Sequence, residues 1–255
     1  MDAKYIGLYT IIKKEATRIR RIWAQTLFPS VITMTLYFVI FGNLIGSRIG
    51  KMAGFNYVTF IVPGLIMMSV ITNSFSNVVS SFFSAKFQHS IEEVLISPIP
   101  DSFIIIGYIS GGVIRGIIIS ILVTGVSLFF SDLKFYNIAI VISVIVLTAI
   151  LFSLAGFLNA LFAKRYDDVS IFPTFILSPL TYLGGVFYSI DLLPPIWRTV
   201  SKFNPILYMI NAFRYGYLGF SDIDIVFAIS FIIIFIVILF SLSLYLMRKG
   251  YGLKQ

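Results

Sequence analysis

The sequence has no cysteine, a single histidine and few charges: only 12% of its 255 residues are Asp, Glu, Lys or Arg. Without cysteine there is no disulfide, no thiolate nucleophile and no thiolate-ligated metal. The lone His89, with no acid at metal-ligand spacing, leaves no material for a zinc hydrolase. Soluble domains carry about 25% charged residues. This chain is 58% hydrophobic, with a mean hydropathy of +0.98. One core of this size cannot hide so much apolar surface, because a folded domain still exposes roughly a quarter of its unfolded area. A soluble enzyme, a disordered chain and a fibre are therefore excluded. A polytopic membrane protein remains.

Acids are scarce and peripheral. Asp2, Glu15, Glu92, Glu93, Asp101, Asp132, Asp167, Asp168, Asp191, Asp222 and Asp224 all fall outside the apolar stretches. Proton- or sodium-coupled carriers use an intramembrane acid or an equivalent ion site, so a secondary carrier is disfavoured. A sodium site of backbone carbonyls stays open. A phosphate-binding loop is missing too. The one Gly-Lys pair, Gly50-Lys51, has Ile45 where the leading glycine belongs and Met52 where a Ser or Thr would hold magnesium. The chain is thus expected to hold no cofactor, and any ATP and magnesium would be bound by another subunit.

What is present is a set of long apolar runs. A hydrocarbon layer about 30 Å thick needs about 20 apolar residues in a helix. Six stretches qualify: 26–45, 57–80, 103–130, 137–162, 171–188 and 225–247. They are continuous rather than alternating, which argues against a β-barrel. The fifth holds Pro173, Pro179, Gly184 and Gly185 and is expected to break or kink. The segments between spans, at most about 36 residues, are shorter than the 50 or more a domain needs. The reading is a single all-α transmembrane domain over 1–255, with an interfacial segment at 1–25, a six-span core at 26–247 and a tail at 248–255. The first apolar run follows about 25 mixed residues and has no small-residue cleavage site, so no cleavable signal peptide is expected.

Lys and Arg choose the orientation. With both termini in the cytoplasm, the inner set is Lys4, Lys13, Lys14, Arg18, Arg20, Arg21, Lys86, Lys164, Arg165, Arg248, Lys249 and Lys254, twelve in all. The outer set is six: Arg48, Lys51, Lys134, Arg198, Lys202 and Arg214. The net charge of +8 is then an orientation and anionic-lipid signal rather than a nucleic-acid one.

Four local patterns carry more detail. At the start, Tyr5, Leu8, Tyr9, Ile12, Ala16, Ile19 and Trp23 share one helical arc, with Lys13, Lys14, Arg18, Arg20 and Arg21 opposite. That describes a helix lying in the membrane interface. In the inner loop, Ser90 with Glu93 is spaced as a capping box and Pro98 and Pro100 stop the helix. The product is a short helix displaying Ile91, Val94 and Leu95 beside Glu92 and Glu93, shaped either to dock into a partner's cleft or to rest on the membrane. Gly107, Gly111, Gly112 and Gly116, with Gly42 and Gly46, allow close helix approach within one chain or between two. Finally, the outer stretch 192–216 is too apolar for a water-exposed loop. It contains Pro194, Pro195, Trp197, Phe203, Asn204, Pro205, Tyr208, Ala212, Phe213, Arg214 and Tyr215. Two short helices broken at Asn204-Pro205 fit it, either re-entrant and buried in protein or lying on the surface as an amphipathic hairpin.

Arg115 is the one charge within a span. It reads either as a contact for an anionic substrate or as a structural donor to carbonyls or to Asn159, or as a snorkelling cation.

Together these pieces resemble the permease subunit of ABC-2 type exporters over the whole chain, and within them the YadH-like branch of Gram-negative bacteria. Glu92-Glu93-Val-Leu-Ile-Ser-Pro98, Leu-Pro194-Pro195…Asn204-Pro205…Arg214 and the interfacial start carry the resemblance. So do Phe60-Ile-Val-Pro-Gly-Leu-Ile-Met-Met68, Phe41-Gly-Asn-Leu-Ile-Gly-Ser-Arg-Ile-Gly50 and Thr181-Tyr-Leu-Gly-Gly-Val-Phe-Tyr188. The resemblance implies a non-catalytic, homodimeric six-span exporter subunit of the inner membrane, bound to two separately encoded ATPase subunits. Glu92, Glu93, Leu95 and Pro98 would belong to a coupling helix in the ATPase cleft. Pro194, Pro195, Asn204, Pro205 and Arg214 would belong to outer gate helices, and the first and fifth spans would line the path. An ATP-independent carrier or channel and a non-transport assembly protein are the competing functions.

Overall fold

The computed structural model describes residues 3–131 and 135–252. Asp2, Asp132, Lys134 and Lys254, counted among the charges above, lie outside them. In chain order the helices are α1 (Ala3–Arg21), α2 (Trp23–Tyr37), α3 (Gly46–Ile49), α4 (Tyr57–Phe87), α5 (Ser90–Leu95), α6 (Asp101–Ser127) and α7 (Ile138–Phe162). They continue with α8 (Tyr166–Phe172), α9 (Ser178–Leu183), α10 (Pro195–Lys202), α11 (Pro205–Leu218) and α12 (Ile225–Arg248). A two-stranded hairpin, β1 (Lys51–Met52) with β2 (Phe55–Asn56), sits between α3 and α4. Its turn residues Ala53 and Gly54 both have positive φ, as a tight two-residue hairpin turn demands.

Among the described residues five helices are long and apolar enough to cross a membrane: Trp23–Gly42, Tyr57–Phe87, Asp101–Ser127, Ile138–Phe162 and Ile225–Arg248. The fifth stretch of the sequence is helical in three pieces, α8, a π-turn Pro173–Leu177 and α9, of seven, five and six residues. At about 1.5 Å per residue this path is roughly 27 Å long, a little under the hydrocarbon thickness. The break falls where Pro173 removes a backbone donor. A second π-turn, Phe38–Ile45, follows α2 with no proline in it.

α4, α6 and α7 form the central post, and most of α4 is buried. Glycine makes that packing possible. A Cβ at Gly111 would meet Glu15 and Asn77, at Gly112 Ser153 and Val78, and at Gly116 Ser74 and Ala149. A Cβ at Gly107 would run into Ile11 of α1. The glycine pattern of α6 is therefore spent on contacts within the chain. Phe82 stacks obliquely on Phe157 at 4.3 Å and edge-on to Tyr108 at 5.1 Å, tying the same three helices together near α5.

Local chemistry sets the helix starts. Asn137 Oδ1 accepts from the backbone N–H groups of Ala139 and Ile140 and starts α7. Asp224 accepts from Phe227 N at 2.8 Å and starts α12. Side-chain oxygens at this position satisfy otherwise orphaned helix donors.

The amphipathic start is a helix, and the face it presses into the protein lies to one side of the apolar arc. The residues pressed into the protein are Ile11, Glu15 and Ile19, while Tyr5, Tyr9 and Trp23 are exposed. Arg18, expected on the polar face, turns inward. It donates to the Asn77 carbonyl at 2.8 Å, to Asn77 Oδ1 at 2.9 Å and to Ser80. Glu15 accepts from Ser81 Oγ at 2.5 Å and lies 3.4 Å from Arg18. Burial pushes its carboxyl up, against the opposing pull of Arg18 and Ser81. The wheel missed this because a charged pair can enter a protein interior once it is paired and hydrogen-bonded.

Candidate coupling face, path and outer gate

α5 projects from the end of α4 through a tight joint. Gln88 ends α4, and His89 adopts a left-handed conformation with φ +58°. The expected capping box does not form. Ser90 is the first helical residue, and its hydroxyl donates back to the Ala85 carbonyl. His89 instead pairs its Nδ1 with Glu92 Oε1 at 2.9 Å. The short helix also presents a different face from the one spacing suggested. Ile91 is buried, Val94 and Leu95 are half-buried, and Glu92, Glu93, Ile96 and Pro98 are exposed. Ile96, 86% exposed, is the apolar residue that sequence reasoning left out. It sits one position past the last periodic residue, where a wheel stops counting.

At the opposite end of the bundle the outer stretch splits in two. α10 begins with Pro195 after Pro194 and lies on the surface, with Ile196, Trp197, Val200 and Phe203 exposed. α11 begins with Pro205 after Asn204 and is buried among α4, α7 and α12. One helix of the pair is buried in protein and the other exposed, so neither sequence alternative describes both. Asn204 is the hinge between them. Its Oδ1 accepts from Ile206 N at 3.0 Å and its amide donates to the Leu180 carbonyl of α9 at 2.6 Å. Pro195 and Pro205 fit because a first helical residue needs no free N–H.

Arg214 is fully buried on α11. Nη2 donates to the Gly185 carbonyl at 2.7 Å, the guanidinium lies 4.0 Å from the centre of the Phe60 ring, and Nη1 is 3.8 Å from Asp222 Oδ2. Burial lowers its pKa to about 10 while Asp222 opposes the shift, so it stays charged at neutral pH. Asp222 accepts from Ser189 Oγ at 2.7 Å, and its own N–H donates to Asn211 Oδ1. One cation thus ties α11, α4 and the 185–189 loop to the start of α12.

Arg115 lies on α6 and is buried. Nε and Nη2 donate to Asn73 Oδ1 at 3.1 and 2.9 Å, and Nη2 also donates to the Thr26 carbonyl at 3.0 Å. Asn73 passes the contact on by donating to Ser30 Oγ. The carbonyl partner was anticipated, but Asn159 was not the amide involved: it donates to Val169 O instead. Asn73 also borders a cavity of about 230 Å³ between α2 and α4, lined by Ser30, Thr33, Tyr37, Thr72 and Met68. Farther along, Tyr37 and Tyr182 hydroxyls meet at 3.4 Å and Phe41 packs on Phe187 at 4.7 Å, joining α2 to α9 and its π-turn to the loop that follows α9. Arg115→Ala should cost about 2 kcal/mol of stability, the range of a buried charged hydrogen bond. A thermal melt in detergent that shows no loss, with substrate dependence altered, would place Arg115 on the path instead.

The geometry is that of a multi-span membrane protein with a projecting helix at one end, a buried charged anchor at the other and a cleft beside its first span. Residues 7–218 match the model of the ABC-2 type transporter family. The chain is 57% identical over all 255 residues, and over the whole of both chains, to the inner membrane transport permease YadH of Escherichia coli strain K12. It is 24% identical to nodulation protein J of Rhizobium leguminosarum bv. trifolii over 215 residues, 84% of this chain and 82% of that one. Nodulation protein J of Rhizobium meliloti strain 1021 is 22% identical over 218 residues, again 84% and 82%. The chain belongs to the ABC-2 type transporter family.

Proposed function

We propose that this chain is the permease subunit of an ATP-driven exporter in the inner membrane, working as a homodimer with both termini in the cytoplasm and 1–255 forming a single transmembrane domain. The observation that carries the proposal is α5: a short helix at the end of the most buried span, with two exposed carboxylates on it and Ile96 and Pro98 exposed just after it. Such a surface suits a cleft in a partner that binds ATP and magnesium, since this chain has no phosphate loop. Glu92, Glu93 and Pro98 would meet that partner directly, and Leu95 would hold the helix to the bundle. The close relative named as an inner membrane transport permease supports the location.

The first span and the 166–183 path would line the route at the dimer interface. They are thinly covered by the chain's own residues: Phe28, Ile32, Leu36, Phe175 and Ile176 are all exposed. α10 and α11, with Pro194, Pro195, Asn204, Pro205 and Arg214, would close its outer end. The test is reconstitution. The chain should co-purify with an ATP-hydrolysing subunit, and efflux from proteoliposomes should require both. Gradient-driven flux by the purified chain alone would overturn the proposal in favour of a carrier.

A further inference from the structure

α7 ends at Phe162 in a cleft that the proposed transport cycle does not use. Its cavity, about 490 Å³, is lined by Lys86, Leu161, Phe162, Lys164, Arg165, Tyr251 and Gly252, within the roughly 300–1,000 Å³ of small-ligand sites. Three of these residues are cations, from the end of α4 and the α7–α8 loop. Lys86 is buried, and Nζ donates to the carbonyls of Ala160, Leu161 and Ala163 at 3.3, 2.9 and 2.6 Å. All three of its donors are used, so it closes the last turn of α7 and contributes charge to the cleft without a free proton.

Lys164 and Arg165 differ. Both are exposed, and among the described residues neither side chain makes a hydrogen bond or an ion pair. The nearby carboxylate does not neutralise them by contact. Asp168 accepts instead from the backbone N–H groups of Lys164 and Arg165 at 2.9 and 3.0 Å, as the start of α8. Among the described residues the cleft therefore holds three cations, beside one carboxylate that is committed to backbone.

The wall beside the cations is apolar. Phe162, the last residue of a membrane-spanning helix, is half exposed, and Tyr251 stands edge-on to it at 5.3 Å. Gly252, with φ +70°, lets the chain pass over the end of α7; a Cβ there would strike the Leu161 carbonyl. An apolar wall that ends a span, topped by unpaired cations, is the boundary at which a lipid phosphate sits.

We propose that this cleft binds the phosphate of an anionic phospholipid headgroup, with Lys164 and Arg165 as its direct donors, Lys86 as a fixed background charge, and Phe162 and Tyr251 against the glycerol and upper acyl chain. The proposal rests on the inner-face placement of 163–165 and 249–252 given above. The lack of native cysteine allows that placement to be checked alone: Lys249→Cys should react with an impermeant maleimide only from the cytoplasmic side. Labelling from outside would refute the orientation and leave the lipid measurement to judge the cleft.

The test uses the full chain in phosphatidylcholine discs with or without phosphatidylglycerol, read by thermal melting across a phosphatidylglycerol titration. Wild type and a control, Lys13→Gln with Lys14→Gln, should be stabilised by phosphatidylglycerol. Lys164→Gln with Arg165→Gln should melt like wild type in phosphatidylcholine but need roughly thirtyfold more phosphatidylglycerol for the same shift, about 1 kcal/mol per cation. Equal shifts in all three proteins, or none in wild type, would overturn it. Inorganic phosphate in phosphatidylcholine discs, at matched ionic strength, should not reproduce the shift; if it does, the source is soluble phosphate and the lipid assignment falls. Loss of ATPase subunit binding by the double variant in phosphatidylcholine discs would likewise replace the lipid with a protein carboxylate as the occupant.

Discussion

Reversing both charges of α5, Glu92→Arg with Glu93→Arg, is expected to lower transport-linked ATP hydrolysis at least tenfold and to release the ATPase subunit during purification. The permease should still fold. Both side chains are exposed, and the one polar contact either makes among the described residues, His89 with Glu92, is itself exposed, so its loss costs little. A partner cleft complementary to two carboxylates would instead face two cations, and like charges placed together across an interface cost several kcal/mol. Ile96→Asp should act in the same direction, because it puts a charge where an apolar residue projects. Thermal melting of the permease alone provides the control. If both variants keep wild-type melting and wild-type coupled ATPase activity, α5 does not couple.

The second large effect belongs to Arg214. Arg214→Met should destabilise the end of the bundle opposite α5 by roughly 3–5 kcal/mol, because it leaves the Asp222 carboxylate buried without its counter-charge. A drop in melting temperature on the order of 10 °C should follow. Asp222→Asn in the Arg214→Met background should recover part of the loss, since an amide is far cheaper to bury than an unpaired carboxylate. Arg214→Lys should not substitute fully. A point ammonium cannot donate to Gly185 O and keep the guanidinium's place over the Phe60 ring at once. A double variant no more stable than Arg214→Met would show that the pair is uncoupled.

Much of this architecture could be read from hydropathy alone. Continuous apolar runs with caps such as Asn137 and Asp224 specify helices of the right length and place, and Pro173 marks the break in the fifth stretch. Charged residues were harder. Glu15 and Arg18 looked like the wet side of an interfacial helix, yet they pair with each other and with Asn77 and Ser81 inside the protein. A helical wheel sees one helix at a time, and Asn77 and Ser81 are more than fifty residues away. The same limit explains why Asn73 rather than Asn159 holds Arg115. The joint at His89 was hard to read for another reason: histidine is enriched among left-handed residues, yet only a few per cent of non-glycine residues adopt that conformation.

α4 and α12 meet their surroundings in opposite ways. About 78% of the most apolar part of α4 is buried inside the protein, against 11% for α12. Nearly every side chain of α4 is answered by a particular neighbour, so its identity is specified position by position. α12 is little covered by the chain's own residues away from Ala228, Ile232, Ser243 and Met247, and in a bilayer such a face asks for apolarity and length and little else. Substitutions among Ile, Leu, Val and Phe should therefore accumulate freely along Ile225–Arg248 and be purged from Tyr57–Phe87. The helix with the higher hydropathy, 3.3 against 1.7, is the one that carries less information about the fold.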